Sequence, residues 1–397
     1  MRGRLDIDIL CKVVDNYGDI GFAYRLARGL SEAPDPPRLR LVVDDLTAFA
    51  ALEPAVDPRA DVQELRGWTL ARWDAPCESF RSRRPRILLE CFACGRPEWL
   101  EALIFDPGDE GGCLIIDVEH LSAEKYAEEF HRMPSLTRSP RVRKALFLPG
   151  FSPGTGGLIQ DLGFVEALRR AGEERGRSGL RREILGRLPP SEPRMGLAGA
   201  EEGFWACVFS YPRDYERVVA DLAAFELARE SGRQVLALVA PGGSGDCFRR
   251  AWEASGRPFS ALFLPFLPQE DWDRLLAASD FAIVRGEDSW ARACLGGRPF
   301  LWQAYPQEGR HHLMKVEAFL GRLRPYFAPG DFSALEALYR SFNDRSSDGE
   351  GERGEESLLP VLMRYRELLG GFAAFSASVR NIGDLVAGLL TFLGDFV

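Results

Sequence analysis

The chain has 397 residues, of which 46% are hydrophobic and 27% charged, a balance typical of soluble globular proteins. That length exceeds one ordinary core, so two domains of roughly 150–200 residues are expected. A net charge of −9 argues against broad binding to nucleic acid or anionic membranes and mildly favours a partner with a basic surface.

No stretch of about 20 apolar residues occurs, and no basic start leads into an apolar run. A cytoplasmic setting is therefore expected, with the eight cysteines reduced. Only Cys91 and Cys94 have CxxC spacing, which leaves a thioredoxin-like redox reading beside that of buried thiols in a loop. There are four histidines and no HExxH, P-loop or GxGxxG pattern, so metalloprotease, nucleotide-kinase and dinucleotide readings lack their usual support.

Residues 6–14 read as a buried first strand. It breaks at Asp15-Asn16-Tyr17-Gly18-Asp19-Ile20-Gly21, and an amphipathic helix follows through Phe22, Leu26 and Leu30. Strand, polar turn and helix open an α/β unit, and ligands sit outside the carboxyl ends of such strands. Asp15 and Asp19 lie where chemistry is expected; the competing reading is that Asp19 caps the helix and Asp15 fixes the turn. Further strands end at Asp44-Asp45, at Glu90, and at Asp117 followed by Glu119. These carboxylates suit an electropositive partner or are ordinary loop residues.

After a strand and a glycine-rich loop at 145–158, residues 169–203 are rich in Arg, Glu, Gly and Pro. They read as a linker between an N-terminal domain, 1–168, and a C-terminal domain, 204–375. A second α/β series begins at Trp205 and includes a strand from Asp280 to Val284. The turn Arg285-Gly286-Glu287-Asp288-Ser289 follows, with a helix expected to start near Trp290. Unpaired N–H groups and the dipole make a helix start an anion site, and Arg285 adds a cation, so this turn is expected to hold a diphosphate. Residues 344–357 form a charged Gly/Ser loop, and 376–397 end in an apolar helix that needs a surface to pack on. Two consecutive α/β halves and a terminal helix give the GT-B layout. In it two doubly wound, Rossmann-like domains face one another across a cleft and the last helix crosses back to the first domain.

Five strings in order across both halves resemble the protein-arginine rhamnosyltransferases that modify translation elongation factor P. They are Val13 to Gly21 with Tyr24 to Arg28, Glu90 to Gly95, Pro149 to Gly157, Arg285 to Ser289, and Tyr305 to Gln307 leading into His312 to Phe319. The resemblance implies an inverting, metal-independent transfer of L-rhamnose from dTDP-β-L-rhamnose to an arginine in the N-terminal domain of elongation factor P. No cofactor is expected, and the charge and the lack of an apolar span lead to the expectation of no direct nucleic-acid contact and no membrane. Asp15 and Asp19 match the family's acidic pair, with Asp19 as base and Asn16 between them on the acceptor side. Arg285, Glu287, Asp288 and Ser289 match diphosphate and ribose contacts, and Tyr305 a diphosphate contact. Phe209, Tyr211, Phe266, Gln269 and Trp272 match positions around the thymine, Trp272 standing where a phenylalanine is expected.

The chemistry suits those residue types. Arginine keeps its proton far above neutral pH, so a carboxylate must hold the planar cation and accept a proton as the new bond forms. Phe266 and Trp272, on either side of Gln269, suit a base sandwich; the competing reading is that both are core residues. Glu287 has the wrong charge beside a diphosphate unless it turns to a hydroxyl or to Arg285, and a ribose or orienting role is expected. Another GT-B enzyme with a different nucleotide sugar and a small acceptor, or a non-catalytic docking protein, would share much of this pattern.

Overall fold

The computed structural model describes residues 4–14, 17–75, 78–188, 199–229, 234–344 and 357–394. Asp15, Asn16 and nearly all of the charged loop at 344–357 lie outside the described residues. The chain divides into two compact units, Met1–Asp161 with Val379–Val397, and Leu162–Ser378.

The first unit runs β1 (Asp6–Cys11), α1 (Gly18–Ser31), β2 (Arg38–Val43), α2 (Leu46–Leu52), β3 (Val62–Leu65), β4 (Trp68–Arg72) and α3 (Glu78–Ser82). It continues with β5 (Ile87–Cys91), α4 (Glu98–Ile104), β6 (Cys113–Val118), α5 (Tyr126–Phe130), β7 (Pro134–Ser135) and β8 (Val142–Phe147). The sheet order is β3-β4-β2-β1-β5-β6-β8-β7, parallel except for the edge strands β3 and β7. Burial on both faces explains why the central strands are near-continuous apolar runs. Ile7, Ile9 and Cys11 of β1 pack in one core, and Leu10 in a second core on the opposite face. Asp8 interrupts that run and is paid for by its register neighbour: the Arg40 guanidinium donates to both of its carboxylate oxygens at 2.5 and 2.8 Å, with both residues fully buried.

The second unit contains α6 (Leu162–Gly172), α7 (Glu174–Arg187), β9 (Phe204–Val208), α8 (Glu216–Ala228), β10 (Val235–Val239), α9 (Gly243–Ala254) and β11 (Ser260–Phe263). After these come α10 (Gln269–Ala278), β12 (Phe281–Arg285), α11 (Glu287–Gly296), β13 (Phe300–Gln303), α12 (His312–Leu323), α13 (Pro329–Asp344) and α14 (Leu359–Met363). Helix α15 (Tyr365–Ile382) carries the boundary between the units, and α16 (Leu385–Gly394) belongs to the first. The second sheet is wholly parallel, in the order β11-β10-β9-β12-β13.

Much of 169–203 is not a linker. Helices α6 and α7 belong to the second unit, and buried Arg181 of α7 donates to the carbonyls of Ala278, Glu201 and Gly203 and to Asp280. The Arg- and Glu-rich composition belongs to an exposed helix surface, where Arg170 pairs with Glu183, and so imitates a connection. In the first unit α16 covers the sheet: Leu385, Val386, Leu389, Phe392 and Leu393 share the core of Ile7, Ile9 and Leu26. Among the described residues no helix is long and apolar enough to cross a membrane.

Candidate active site

In both sheets the strand order reverses beside the first strand, between β1 and β5 and between β9 and β12. Loops at the carboxyl ends of strands diverge at such a point and leave a crevice. The residues after β9 and β12 form one connected cluster there. The Arg285 guanidinium lies 4.6 Å from the ring centroid of Phe209 and 4.7 Å from that of Tyr211, so two aromatic faces hold the cation. Tyr211 in turn meets Tyr305 edge-on at 5.4 Å. Trp272 packs edge-on against Phe209 at 5.1 Å, and its indole N–H donates to Ser289 Oγ at 3.1 Å. The amide of buried Gln269 donates to Asp288 at 3.3 Å. Phe266, three residues before Gln269, is 39% exposed, and Tyr305 60%.

Helix α11 begins at Glu287, three residues before the expected start, so Glu287, Asp288 and Ser289 form its first turn. Gly286 makes this possible: its φ of 66° and ψ of 170° are a conformation only glycine adopts readily, and it lets the strand turn into the helix in one residue. The acidic charges of Glu287 and Asp288 are favourable at a helix start, which supplies a structural reason for both. The ring in edge contact with Trp272 is that of Phe209, which directly follows β9, the strand paired with β12.

Three supporting residues were given no role in the sequence reading, although His312 opens one of the resembling strings. Gln303 ends β13 in register with Arg285, and its side-chain oxygen accepts the Tyr211 N–H at 2.8 Å. His312 accepts the Gln307 N–H on Nδ1 at 3.2 Å, which leaves the proton on Nε2 to donate to the Asn343 carbonyl at 2.9 Å. The Asn343 side chain accepts the Ala304 N–H at 2.8 Å, so both flanks of Tyr305 are pinned. Gln303 carried the signal of a polar strand end and His312 that of its string, whereas Asn343 depends on where α13 packs.

In the first unit Asp19 lies in the first turn of α1, 8% exposed, and its carboxylate accepts the Val14 N–H at 2.7 Å. Asp44 accepts the Val13 N–H at 2.8 Å, so two carboxylates hold the chain leaving β1. Asp45 caps α2 through the N–H groups of Thr47 and Ala48. Glu90 is buried against Arg96 and Lys144, and Asp117 against Lys144. Four of the five strand-end carboxylates thus have structural partners, which narrows the acidic surface the sequence suggested.

In the CxxC turn Cys91 is buried and Cys94 half-buried, and both are free thiols. Burial pushes the Cys91 thiol well above its ordinary value, and burial followed by the Glu90 charge pushes Cys94 to about 12, so neither is a ready thiolate. What the segment does provide is a strained loop: Phe92 and Ala93 have φ of 59° and 48°, and the Phe92 ring stacks on His120 at 4.2 Å. Among the described residues no three His, Cys, Asp or Glu side chains gather as metal ligands.

Residues 7–394 match the family model described as Elongation-Factor P (EF-P) rhamnosyltransferase EarP. The protein-arginine rhamnosyltransferase of Pseudomonas aeruginosa is 35% identical over 409 residues, covering 98% of this chain and 99% of that protein. Its counterpart in Pseudomonas putida is 33% identical over 374 residues, covering 91% and 93%. A solved structure described as the basis for EarP-mediated arginine glycosylation of translation elongation factor EF-P aligns over 98% of this chain and 99% of that one, with a TM-score of 0.56 at 22% identity. The UDP-GlcNAc 2-epimerase of Neisseria meningitidis aligns over 98% and 100%, with a TM-score of 0.52 at 7% identity. With two doubly wound sheets and these likenesses, the fold is GT-B. The chain belongs to the EarP family and is a glycosyltransferase, a protein-arginine rhamnosyltransferase.

Proposed function

We propose that this enzyme moves L-rhamnose from dTDP-β-L-rhamnose to a guanidinium nitrogen of an arginine on elongation factor P, with inversion at the sugar carbon. The observation that carries the donor half is Arg285, fixed between Phe209 and Tyr211 at the opening of α11. As the bond from the sugar carbon to the diphosphate oxygen breaks, charge grows on dTDP. A held cation and helix-start N–H groups stabilise that charge without reorganising, and so supply the role a metal ion plays elsewhere. Phe209, Tyr211, Phe266, Gln269 and Trp272 are assigned to the thymine. Asp288, Ser289 and Tyr305 are assigned to ribose and diphosphate, and Glu287 to a ribose hydroxyl or the orientation of Arg285.

Asp19 takes the acceptor half. Its carboxylate holds the guanidinium cation and accepts the proton released as the carbon–nitrogen bond forms. Asp15 and Asn16 are assigned to the same acceptor. Calorimetric titration with dTDP tests the donor assignment. Arg285→Gln is expected to weaken dTDP at least about tenfold, the loss of one charge-assisted contact. Equal affinity in wild type and variant would remove Arg285 from the site.

A further inference from the structure

The second unit carries another cavity, of about 570 Å³, within the size range of small-molecule sites. It lies by Gly203 and Phe204, where β9 starts, and by Asp280, just before β12. The donor residues follow the other ends of those strands, about 17 Å away for five residues of strand. This is therefore a separate site on the opposite edge of the same sheet.

Its lining holds five arginines, Arg177, Arg181, Arg229, Arg298 and Arg366, against three carboxylates, Glu202, Asp280 and Glu367. That excess of positive charge sits in a chain whose 59 acidic residues outnumber its 50 basic ones. Asp280 serves two of the cations, taking Arg181 at 2.7 Å and Arg177 at 3.3 Å. Arg298 donates to neutral acceptors, the Tyr365 hydroxyl at 3.1 Å and the Ala171 carbonyl at 3.2 Å. Burial first, and then the charges of Arg177 and Arg298, lower the Arg181 pKa against the pull of Asp280. The cations therefore repel one another. Phe204 and Tyr365, in edge contact at 5.2 Å, give the same cavity an apolar wall.

We propose that this cavity binds a small phosphorylated molecule, its phosphoryl oxygens on Arg177, Arg298 and Arg366, while Arg181 stays committed to Ala278, Glu201, Gly203 and Asp280. Guanidinium groups match phosphate geometry, and a bound anion removes their mutual repulsion.

The test is calorimetry at fixed ionic strength on the full chain carrying Arg285→Gln, which removes the donor-site cation, with inorganic pyrophosphate and glycerol 3-phosphate, which has no base for the thymine residues, as probes. At least one probe is expected to bind saturably, and adding Arg366→Glu or Arg177→Gln is expected to weaken it tenfold or more. Tighter pyrophosphate points to an inorganic ligand, and tighter glycerol 3-phosphate to an organic phosphate. Arg366 is exposed, so its variant keeps the test decisive if Arg177→Gln does not fold. Absence of saturable binding by both probes, or binding that Arg366→Glu leaves unchanged, overturns the proposal.

Discussion

Two rings and one cation set the donor assignment at the level of single residues. Because Phe209 and Tyr211 hold the planar guanidinium of Arg285, lysine is not an equivalent. Arg285→Lys is expected to raise the donor KM about tenfold while thermal stability stays close to wild type, as read by initial rates and a melting curve. A KM equal to wild type would show that charge alone suffices there. For Asp19 the expected split is the reverse. Asn keeps an oxygen to accept the Val14 N–H, so Asp19→Asn should fold and bind dTDP normally. It lacks the proton acceptor and should lose roughly 10²–10⁴-fold in kcat. Retained turnover would reduce Asp19 to a brace for the β1–α1 turn. That both residues lie at a strand-to-helix junction was legible in the sequence, because a polar turn between a strand and a helix is a local pattern. Gln303 was not, since its partner Tyr211 is 92 residues away and only sheet pairing brings them together.

Among the elements, α11 matters most, and its early start changes how the turn is understood. The sequence pattern located the strand and the helix but put Glu287 to Ser289 in the loop, because acidic and hydroxyl residues suit turns and first helical turns alike. What decides the matter is Gly286, whose conformation no pattern of apolar residues encodes. A Cβ there would meet no other atom within 4 Å, so Gly286→Ala isolates backbone strain from crowding. The expected cost is about 1–3 kcal/mol of stability together with weaker dTDP binding, measured by denaturant unfolding and calorimetry. An unchanged affinity would separate the helix start from the diphosphate. The β3–β4 hairpin was also invisible, since its outer strand is short and half polar and its turn rests on positive φ at Arg66 and Gly67. Helices α6 and α7 were mistaken for a connection because charged helix surfaces and linkers share a composition.

On the scale of the whole molecule, the two α/β series were legible from hydrophobic runs, and the last helix from its apolar length. Which core that helix completes depends on packing. Leu389 is fully buried in the core of the first unit, so Leu389→Ala is expected to cost about 2–5 kcal/mol in denaturant unfolding. A negligible cost would detach α16 from that core. The same unit carries a pH dependence. Burial, with Arg132 adding, pushes His131 down to about 4, and its Nδ1 accepts the Leu148 N–H at 3.1 Å. The unfolded chain then binds the proton first, so stability is full above the ordinary histidine value near 6.5 and falls as pH drops from there toward 4. His131→Asn, which keeps an acceptor but does not titrate, should flatten that part of the melting profile. The central claim, rhamnose transfer to arginine, is tested most directly by intact mass of elongation factor P after incubation with this enzyme and dTDP-β-L-rhamnose, with UDP-sugars run in parallel. The expected result is one added rhamnosyl mass with the dTDP donor, mapped by fragmentation to an arginine of the N-terminal domain, and none with UDP-sugars. An unmodified factor with dTDP-rhamnose, or a product formed from a UDP-sugar, would contradict it.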